Sequence, residues 1–397
     1  MKLAHSAIVI ALASSGACLA SSETDELGAA SALFSGGIEV AATDPEFHWL
    51  EGPVWSNEGN YLLFSDVKWV DENGIACGMI WKLDAEDNLS KFLKCSGLVG
   101  PGEPPADLLE RKEAGGNGLA WGWGGESDLL ICQHGMGRIV RLDPSSVVDG
   151  EIDDDAVSVV IDEFNSTSLN SPNDLWLERG ELFFTDPPFG LQMADADDPL
   201  AYAYEIAPQV PAVYKIPYDP AVAVDGTSAE TIRLRSFERS ATEGPNGVIF
   251  IDGDLINPIT NFDDPRVEIF GGDEVTKRLE LEYRIEGENA SNPPLTDGST
   301  YDKDLDVLFI AGPGGVYMYK GQTGGYHFLG FLRVDDLVAN VAVGGDYLWI
   351  TANKRLLRVK LANGGDKESS TPSGCGRMQS EWLFGFSAMV AFYVIMM

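Results

Sequence analysis

The sequence predicts an all-β chain folded as a six-bladed β-propeller. Between about residues 45 and 361 it consists of short β-branched and aromatic runs separated by Gly, Pro, Asn and Asp, with hardly any sustained helical periodicity. Within this stretch a unit made of a polar opener and three short strands recurs six times. Six such units bury their faces against one another in a ring, whereas a two-sheet sandwich or several small β domains would not explain six units in register.

The units follow one another along the chain. The first three read EGPVW, YLLFSDV, GMIWKLD; NGLAW, DLLICQHG, GRIVRLD; and PNDLW, ELFFTDPPFG, AVYKIPYD. The fourth begins with GPNGVIF and has a less regular second strand, DLINPITNF, while the last two read DGSTY, DVLFIAGPGG, VYMYKG and ANVAV, DYLWITANK, LLRVKL. The segment before the first unit, residues 21–44, contains the strand-like run LFSGGIEVAA. We expect this run to supply the outer strand of the last blade.

The first 20 residues have the pattern of a secretory signal peptide. They combine a basic residue at Lys2, an apolar run and a cluster of small residues before position 20. A bacterial lipoprotein site at Cys18 is the weaker alternative, because the usual Leu is missing from its first position. The sequence therefore predicts entry into the secretory pathway.

The other end of the chain predicts a lipid anchor. Residues 382–397 form a 16-residue apolar tail, preceded by the polar linker 362–381 with small residues around Ser373 and Gly374. A small site, a spacer and an apolar tail together are typical of a glycosylphosphatidylinositol attachment signal. A retained tail anchor or a mobile hydrophobic terminus would fit the same composition, so the prediction is an extracellular or cell-surface protein.

Composition limits the partners of the chain. It has 62 acidic and 27 basic residues, for a formal net charge of -35. Because affinity for polyanions rests on Lys and Arg, we expect no binding to nucleic acid and none to anionic lipid. Such a surface suits cations and neutral solutes, although solubility in a salty or extracellular medium would explain it equally well.

The cysteines and glycosylation motifs agree with the secretory prediction. Cys77 and Cys95 lie in polar, glycine-containing surroundings and could form a disulfide in an oxidising compartment, whereas Cys132 in LLICQ is predicted to be a buried thiol. No CxxC or zinc spacing is present. Three N-glycosylation motifs begin at Asn88, Asn165 and Asn289.

Each unit opens with a side chain that carries oxygen. The first strand of each propeller blade lines the central channel, so the openers are predicted to meet at one channel mouth. They are Glu51, Asn117, Asn173, Asn246, Asp297 and Asn340. Two carboxylates in a poorly solvated channel must be protonated or hold a cation, and a hard divalent ion, Ca²⁺ as first choice, matches such oxygen ligands. For any single opener the alternative is an ordinary turn residue, since Asn-Gly is a common turn dipeptide.

Six phrases occur in a fixed order along the units: EGPVW, SPNDLW, FFTDPPFG, GPNGV, TDG and AGPGGV. This ordered set, over roughly residues 45–361, resembles the gluconolactonase and senescence-marker-protein family, whose members are six-bladed propellers that hydrolyse sugar or other lactones with a divalent metal. The resemblance implies that Glu51, Asn246 and Asp297 bind the metal and that Asn173 binds the metal or the substrate. It also implies that Asp297 is the general base.

The residue types then predict a hydrolytic mechanism. A bound ion would polarise the lactone carbonyl and activate a water, from which Asp297 would take the proton. No covalent nucleophile is required, and the chain has no GxSxG motif. His134 in CQHGMGR is a candidate proton carrier to the leaving hydroxyl, although a lone His is more often a hydrogen-bonded structural residue.

Further residues are predicted to shape the mouth. Asn117 and Asn173 are candidate substrate contacts, with Phe189 as an apolar wall and Asp174 as a hydrogen-bond partner that supports Asn173. Asp186 is predicted to cap a turn. Two inserts without counterparts in the other units could reshape the mouth, and they are residues 100–114 and 193–211.

Two rival functions remain open from the sequence alone. Metal-centred propellers can also attack aryl esters or phosphotriesters, because stabilisation of the same oxyanion serves both reactions. A surface-displayed propeller that binds a ligand and keeps the ion for rigidity is the alternative outside enzymes. In every reading the expected partner of the pocket is a small molecule.

Overall fold

The computed structural model describes residues 28–122, 125–219, 231–238, 243–261, 263–271, 274–281, 295–321 and 325–362. The predicted signal peptide, nearly all of the polar linker, the apolar tail and the motif at Asn289 lie outside these residues. Within the described part, no helix is both long and apolar enough to cross a membrane.

The all-β prediction is confirmed: the chain forms six antiparallel sheets arranged as a six-bladed β-propeller. Strand β1 (Glu39–Ala42) precedes the first blade. The strands of blades one to three follow, with a small hairpin, β10–β11, before blade three: β2 (Leu50–Ser56), β3 (Tyr61–Asp66), β4 (Met79–Asp84), β5 (Leu89–Lys94); β6 (Gly116–Trp121), β7 (Leu129–Gln133), β8 (Arg138–Leu142), β9 (Val157–Ile161); β10 (Glu163–Phe164), β11 (Thr167–Ser168); β12 (Leu175–Glu178), β13 (Glu181–Asp186), β14 (Ala212–Pro217), β15 (Ile232–Ser236).

The second half of the ring repeats this order. The strands of blades four to six are β16 (Glu243–Pro245), β17 (Ile249–Ile251), β18 (Asp254–Asn261), β19 (Arg266–Gly271), β20 (Glu274–Glu280); β21 (Ser299–Asp302), β22 (Val307–Gly312), β23 (Gly315–Lys320), β24 (His327–Arg333); and β25 (Val338–Gly344), β26 (Tyr347–Ala352), β27 (Arg355–Lys360). Blade four is irregular because its inner strand is split into β16 and β17, both of which pair with β18.

The last blade is completed by the segment before the first unit. Strand β1 pairs antiparallel with β27, so the sheet order of blade six is β1, β27, β26, β25. Two further backbone bonds join the same segments: Ser35 N donates to Lys360 O at 2.9 Å, and Ala362 N donates to Leu33 O at 2.8 Å. The beginning and the end of the propeller therefore share one sheet, in which β1 covers the outer edge of β27.

Six hydrogen bonds connect successive blades around the channel. Each runs from one blade to the next, and the last returns from the first blade to the sixth. They are Ser65 Oγ to Asn117 O (2.7 Å), Gly118 N to Asn173 O (2.8 Å), Thr185 Oγ1 to Asn246 O (2.6 Å), Thr260 Oγ1 to Thr296 O (2.8 Å), Gly298 N to Ala339 O (2.8 Å) and Leu50 N to Asn353 O (2.8 Å). This ring fixes the height of every opener in the channel.

The hydrophobic core lies between neighbouring blades. Between blades two and three, for example, Leu130 and Ile139 of one blade pack with Phe184 and Tyr214 of the next, and the last two rings stack with centroids 5.2 Å apart. In β13, for example, Phe184 faces blade two whereas Phe183 packs with Val248 of blade four, so alternate residues face opposite neighbours. Cys132 is a buried free thiol in this layer, which confirms its predicted burial.

Short helices and one disulfide complete the structure. The α-helix α1 (Pro199–Ile206) is capped by Asp198, whose side chain accepts a hydrogen bond from Ala201 N at 3.0 Å. Cys77 and Cys95 form a disulfide in blade one. The described 3₁₀ helices are Gly28–Leu33, Leu108–Glu110, Pro144–Ser146, Asp154–Ala156 and Phe189–Leu191.

The two inserts pack against each other at one mouth of the channel. Lys112 N donates to Gln192 O at 2.9 Å and Ala194 N donates to Glu110 O at 2.8 Å, so the first insert pairs with the start of the second. The second insert contains α1, whose Tyr204 hydroxyl donates to Glu243 O of blade four at 2.8 Å. The inserts therefore form a continuous wall at this mouth, as expected of segments placed to reshape it.

Candidate active site

All seven side chains predicted for the site line one cavity of about 210 Å³ at the channel mouth. The cavity is lined by Trp49, Glu51, Val67, Glu113, Asn117, His134, Asn173, Phe189, Gln192, Leu200, Asn246, Thr260, Leu295 and Asp297. A larger groove of about 560 Å³ lies on the outer side of blade one, but both of its lysines are already paired, Lys91 with Glu46 and Lys94 with Glu151. The convergence of buried polar groups therefore singles out the smaller cavity.

Irregular strand pairing turns the openers into the channel. The register shifts after Glu51 in β2 and after Gly116 in β6, and the inner strand of blade four is interrupted at Asn246. Gly52 is required beside Glu51, because its φ is +42° and a Cβ there would lie 2.2 Å from the carbonyl oxygen of Asn117. The glycine of the EGP phrase is thus explained by the close approach of blade two.

The amide side chains form a directional chain of hydrogen bonds. Asn117 Nδ2 donates to Asn173 Oδ1, Asn173 Nδ2 donates to Asn246 Oδ1 at 2.6 Å, and Asn246 Nδ2 donates to Thr260 Oγ1 at 2.9 Å. Thr260 Oγ1 in turn donates to Thr296 O at 2.8 Å. The chain therefore holds Asn173 and Asn246 in place, and Asn246 Oδ1, which accepts from Asn173, keeps a second lone pair for a cation.

The two carboxylates of the cavity are buried and destabilised as anions. Burial, followed by the negative charge of Asp174, raises the pKa of Glu51 from 4.5 to about 8, although the indole of Trp49 donates to Glu51 Oε1 at 3.3 Å. Burial and the charge of Glu51 raise the pKa of Asp297 well above its ordinary range. Neither carboxylate takes part in an ion pair within the described part of the chain. A cation between them would stabilise the ionised forms and so offset both causes of the shift.

His134 lies beneath the amide chain. Its Nε2 is 3.2 Å from Asn173 Oδ1 and 3.4 Å from Asn117 Nδ2, and the side chain is buried. Burial lowers the pKa of His134 despite the nearby carboxylate of Glu113, which favours a neutral imidazole. Its Nδ1 atom is buried and lacks a hydrogen-bond partner in the described structure. A neutral ring can donate from one nitrogen and accept at the other, as proton transfer requires.

A cation and an additional carboxylate at the mouth were not predicted from the sequence. Lys68 Nζ lies 2.8 Å from Glu113 Oε1 and 4.4 Å from the ring centroid of Trp49. Burial opposes the charged form of Lys68, but Glu113 and the carboxylates beyond it raise its pKa. Neither residue belongs to a repeated phrase, and Glu113 comes from an insert, so the repeat pattern contains no signal for them.

Two predictions about the channel are wrong. Asn340 does not line the cavity: it is the third residue of β25, whereas Glu51 and Asn117 are the second residues of their strands. It lies farther along the channel, in a separate cavity of about 260 Å³, where its Nδ2 donates to Asp174 Oδ2 at 3.3 Å. Asp174 was expected to support Asn173, but its carboxylate instead accepts from Asn340 and from Leu175 N.

The predicted turn cap at Asp186 is confirmed. Its carboxylate accepts hydrogen bonds from Asn170 N at 3.0 Å and from Ser171 N at 2.9 Å, just before Asn173. Asp66 does the same in blade one, where it accepts from His48 N and Trp49 N just before Glu51. Both aspartates therefore hold the loop that leads into a site residue.

The donor set at the mouth fits a hard divalent cation. Glu51, Asp297, Asn173 and Asn246 offer carboxylate and amide oxygens, which are the ligands that Ca²⁺ prefers. In the described part of the chain, no three His, Cys, Asp or Glu side chains converge as a metal cluster. The set therefore lacks the nitrogen and sulfur ligands typical of zinc.

Fold and cavity together define a six-bladed β-propeller with an oxygen-donor site at one channel mouth. No family model matches the chain. A gluconolactonase of Zymomonas mobilis is 29% identical over 340 residues, which cover 81% of each chain. A solved gluconolactonase from Xanthomonas campestris shares the fold with a TM-score of 0.58 and 21% identity, over 84% of this chain and 92% of that one. The resemblance found in the motifs is confirmed: the chain is similar in sequence to a gluconolactonase along most of its length and shares the propeller fold.

Proposed function

We propose that this protein is a hydrolase that opens a lactone of the gluconolactone type with the help of a bound divalent metal ion, Ca²⁺. The observation that carries the proposal is the meeting of Glu51, Asn173, Asn246 and Asp297 in one buried cavity. A chain in which these residues had only turn-forming roles would have no reason to bring two destabilised carboxylates together. The similarity to a Zymomonas mobilis gluconolactonase along four fifths of the chain supports the same activity.

Four residues would hold the ion: Glu51, Asn173, Asn246 and Asp297. When bound, it would polarise the lactone carbonyl and stabilise the negative charge that develops on its oxygen. The chain itself supplies rigidity, because the amide chain and the indole of Trp49 orient three of these ligands before any substrate arrives.

Asp297 is the general base in this mechanism. With a cation beside it the buried carboxyl of Asp297 would be ionised, and the carboxylate could then take a proton from the attacking water. His134 is neutral and lies next to Asn173, so it would act as a relay: it would accept the proton that the attacking water loses and release it to the leaving oxygen as the ring opens. Asn117 and Asn173 would contact the substrate from the floor and Phe189 from the wall.

A thiol nucleophile does not fit this chain. Burial raises the pKa of Cys132 well above its ordinary value, and its side chain lies in the core between blades two and three. A direct attack by water therefore agrees better with the described residues than a covalent intermediate on Cys132.

The first experiment measures hydrolysis of gluconolactone by the purified protein after chelation and after addition of Ca²⁺. We expect activity to disappear with chelator, return with metal and be lost in Asp297→Asn. Glu181→Gln is the matched control, because Glu181 pairs with Lys215 on blade three away from the cavity. Phenyl acetate and a phosphotriester tested in parallel distinguish the rival hydrolase activities. Tight metal binding without hydrolysis of any of these compounds would instead favour a displayed binding protein.

We also propose that the protein travels through the secretory pathway and is held at the cell surface by a glycosylphosphatidylinositol anchor. The disulfide between Cys77 and Cys95 and the exposed positions of Asn88 and Asn165 agree with an oxidising, glycosylating compartment. Release of activity from intact cells by a phosphatidylinositol-specific phospholipase tests the anchor. A chain truncated before residue 382 should be secreted, and its retention would contradict the proposal.

A further inference from the structure

One side of the cavity is apolar. Trp49, Phe189, Leu200 and Leu295 are half-buried and line the cavity together with the buried Val67. These side chains come from the rim, whereas the amides and carboxylates come from the channel openers. A ligand that fills the cavity must therefore contact polar groups at its floor and hydrocarbon at its side.

The apolar wall is firmly built. The ring of Phe189 packs on Gly244, where a Cβ would lie 3.3 Å from Phe189 Cζ. Leu200 lies in α1, which is capped by Asp198 and tied to blade four by the hydroxyl of Tyr204. A wall fixed in this way contributes to binding without a large cost in ordering.

The polar side chains around the wall are already engaged with one another. Glu113 is paired with Lys68, and Gln192 Nε2 donates to Phe189 O at 3.1 Å. Thr260 Oγ1 both accepts from Asn246 and donates to Thr296 O. A polyhydroxylated ring needs a partner for each buried hydroxyl, because an unsatisfied buried hydroxyl is costly. The rim offers hydrocarbon contact instead.

We propose that the substrate of this site is a lactone with an apolar alkyl or aryl substituent, which packs against Phe189, Leu200, Leu295 and Trp49. The inference rests on the proposed lactone hydrolase activity, and it names an apolar-substituted lactone in place of polyhydroxylated gluconolactone as the preferred substrate. The lactone group faces the carboxylates and amides, and the substituent faces the wall that the inserts complete. Leu200 of the second insert and the apolar rim residues around it thus determine specificity, while the openers carry the chemistry.

The test compares δ-valerolactone, δ-decanolactone and gluconolactone as substrates of the full protein with Ca²⁺. We expect kcat/KM for δ-decanolactone to exceed that for δ-valerolactone by at least about tenfold, because each methylene in a hydrophobic pocket contributes about tenfold or more when fully buried. Leu200→Ser should lower the ratio of these two values by about tenfold. Leu200→Met should preserve it, and Tyr202→Ser, an exposed change on the same helix, is the matched control.

Binding of the corresponding lactams, which resist hydrolysis, separates the two proposals. If no lactone is hydrolysed but the alkyl lactam binds at least about tenfold more tightly than the unsubstituted one in calorimetry, the proposed activity fails and the apolar subsite stands. If the two lactams bind equally, or if gluconolactone is preferred and Leu200→Ser does not change the ratio, the proposed substrate class is overturned.

Discussion

Two pairs of carboxylates in this propeller are both buried, but they differ in the groups that surround them. Asp66 and Asp186 end the second strands of blades one and three, and each accepts two backbone N–H groups from the loop before an opener. Glu51 and Asp297 lie at the mouth, where their main neighbours are amides and other carboxylates. Carboxylates saturated by the backbone stabilise the fold, whereas carboxylates left facing one another create a site.

The largest effect is expected for Asp297→Asn. We expect kcat/KM for a hydrolysed lactone to fall about 10²–10⁴-fold, the usual contribution of a general base. The melting temperature of the metal-free variant should not fall, because a neutral amide replaces a buried carboxyl group whose ionised form is disfavoured by burial and by Glu51. If the variant were less stable but still active, Asp297 would have a structural role like that of Asp66 and Asp186, and the contrast between the two pairs would be wrong.

The reverse outcome is expected for Asp186→Ala. The N–H groups of Asn170 and Ser171 would lose their acceptor in a buried environment, at a cost of about 2–5 kcal/mol in the free energy of unfolding. Urea denaturation measures this loss. The Ca²⁺ affinity of the folded protein should change far less than in Asp297→Asn, and a loss of stability below about 1 kcal/mol would contradict the assigned role.

Stability should depend on pH in a way that metal partly removes. The folded pKa of Glu51 is raised from 4.5 to about 8 by burial and by Asp174, so the group stays protonated in the folded state while it ionises in the unfolded chain. Its stabilising contribution is complete below about pH 4.5 and is lost as the pH rises towards 8. We expect the metal-free protein to lose on the order of 1 kcal/mol per pH unit across this window.

The same pH series of unfolding measurements can be repeated with saturating Ca²⁺. Bound Ca²⁺ should flatten the part of the pH dependence that comes from Glu51 and Asp297, as Glu51→Gln does in the metal-free protein. Burial also raises the pKa of Asp186, to about 7, and that of Asp66, but these groups face the backbone and not the site. The pH dependence that comes from Asp66 and Asp186 should therefore persist with bound Ca²⁺. If Ca²⁺ removed the whole pH dependence, these two aspartates would not be independent of Glu51 and Asp297.

The smallest effects are expected from the rim pair of Lys68 and Glu113. Lys68→Met leaves the negative charge of Glu113 uncompensated and should tighten Ca²⁺ binding, whereas Glu113→Gln leaves the cation and should weaken it. Each change should alter the dissociation constant by about fivefold or less, because the pair is partly exposed. Calorimetry with the double variant is the control, and equal signs for the two single variants would contradict the electrostatic explanation.

The repeat made most of the fold predictable. Three strands of five units, and two strands of the fourth unit, were readable, because β-branched runs and turn residues recur in register. The fourth strands, such as β5 and β15, escaped notice because they are charged and half-exposed and lack the apolar signal of the inner three. The split inner strand of blade four followed only from the structure, although the Pro258 inside β18 marked the irregularity.

The site residues that belong to the repeated units were predictable from the sequence, and those outside the units were not. Glu51, Asn173, Asn246 and Asp297 occupy openers, so their convergence followed from the topology, and their roles as ligands and base stay predictions. Glu113 lies in an insert that has no counterpart in the other units. The error at Asn340 has a different cause, since a shift of one residue along a strand changes where a side chain faces, and sequence spacing does not resolve such a shift.

The pairing of β1 with β27 makes the order of the blades along the chain largely arbitrary. Residues 33 and 362 are already joined by a backbone hydrogen bond, so a short linker could connect the two ends of the propeller. New ends could then be opened at the exposed tip of the β10–β11 hairpin, between Asn165 and Ser166. Such a circularly permuted chain would keep the ring, because the ring is defined by contacts between blades and not by the place at which the polypeptide happens to start.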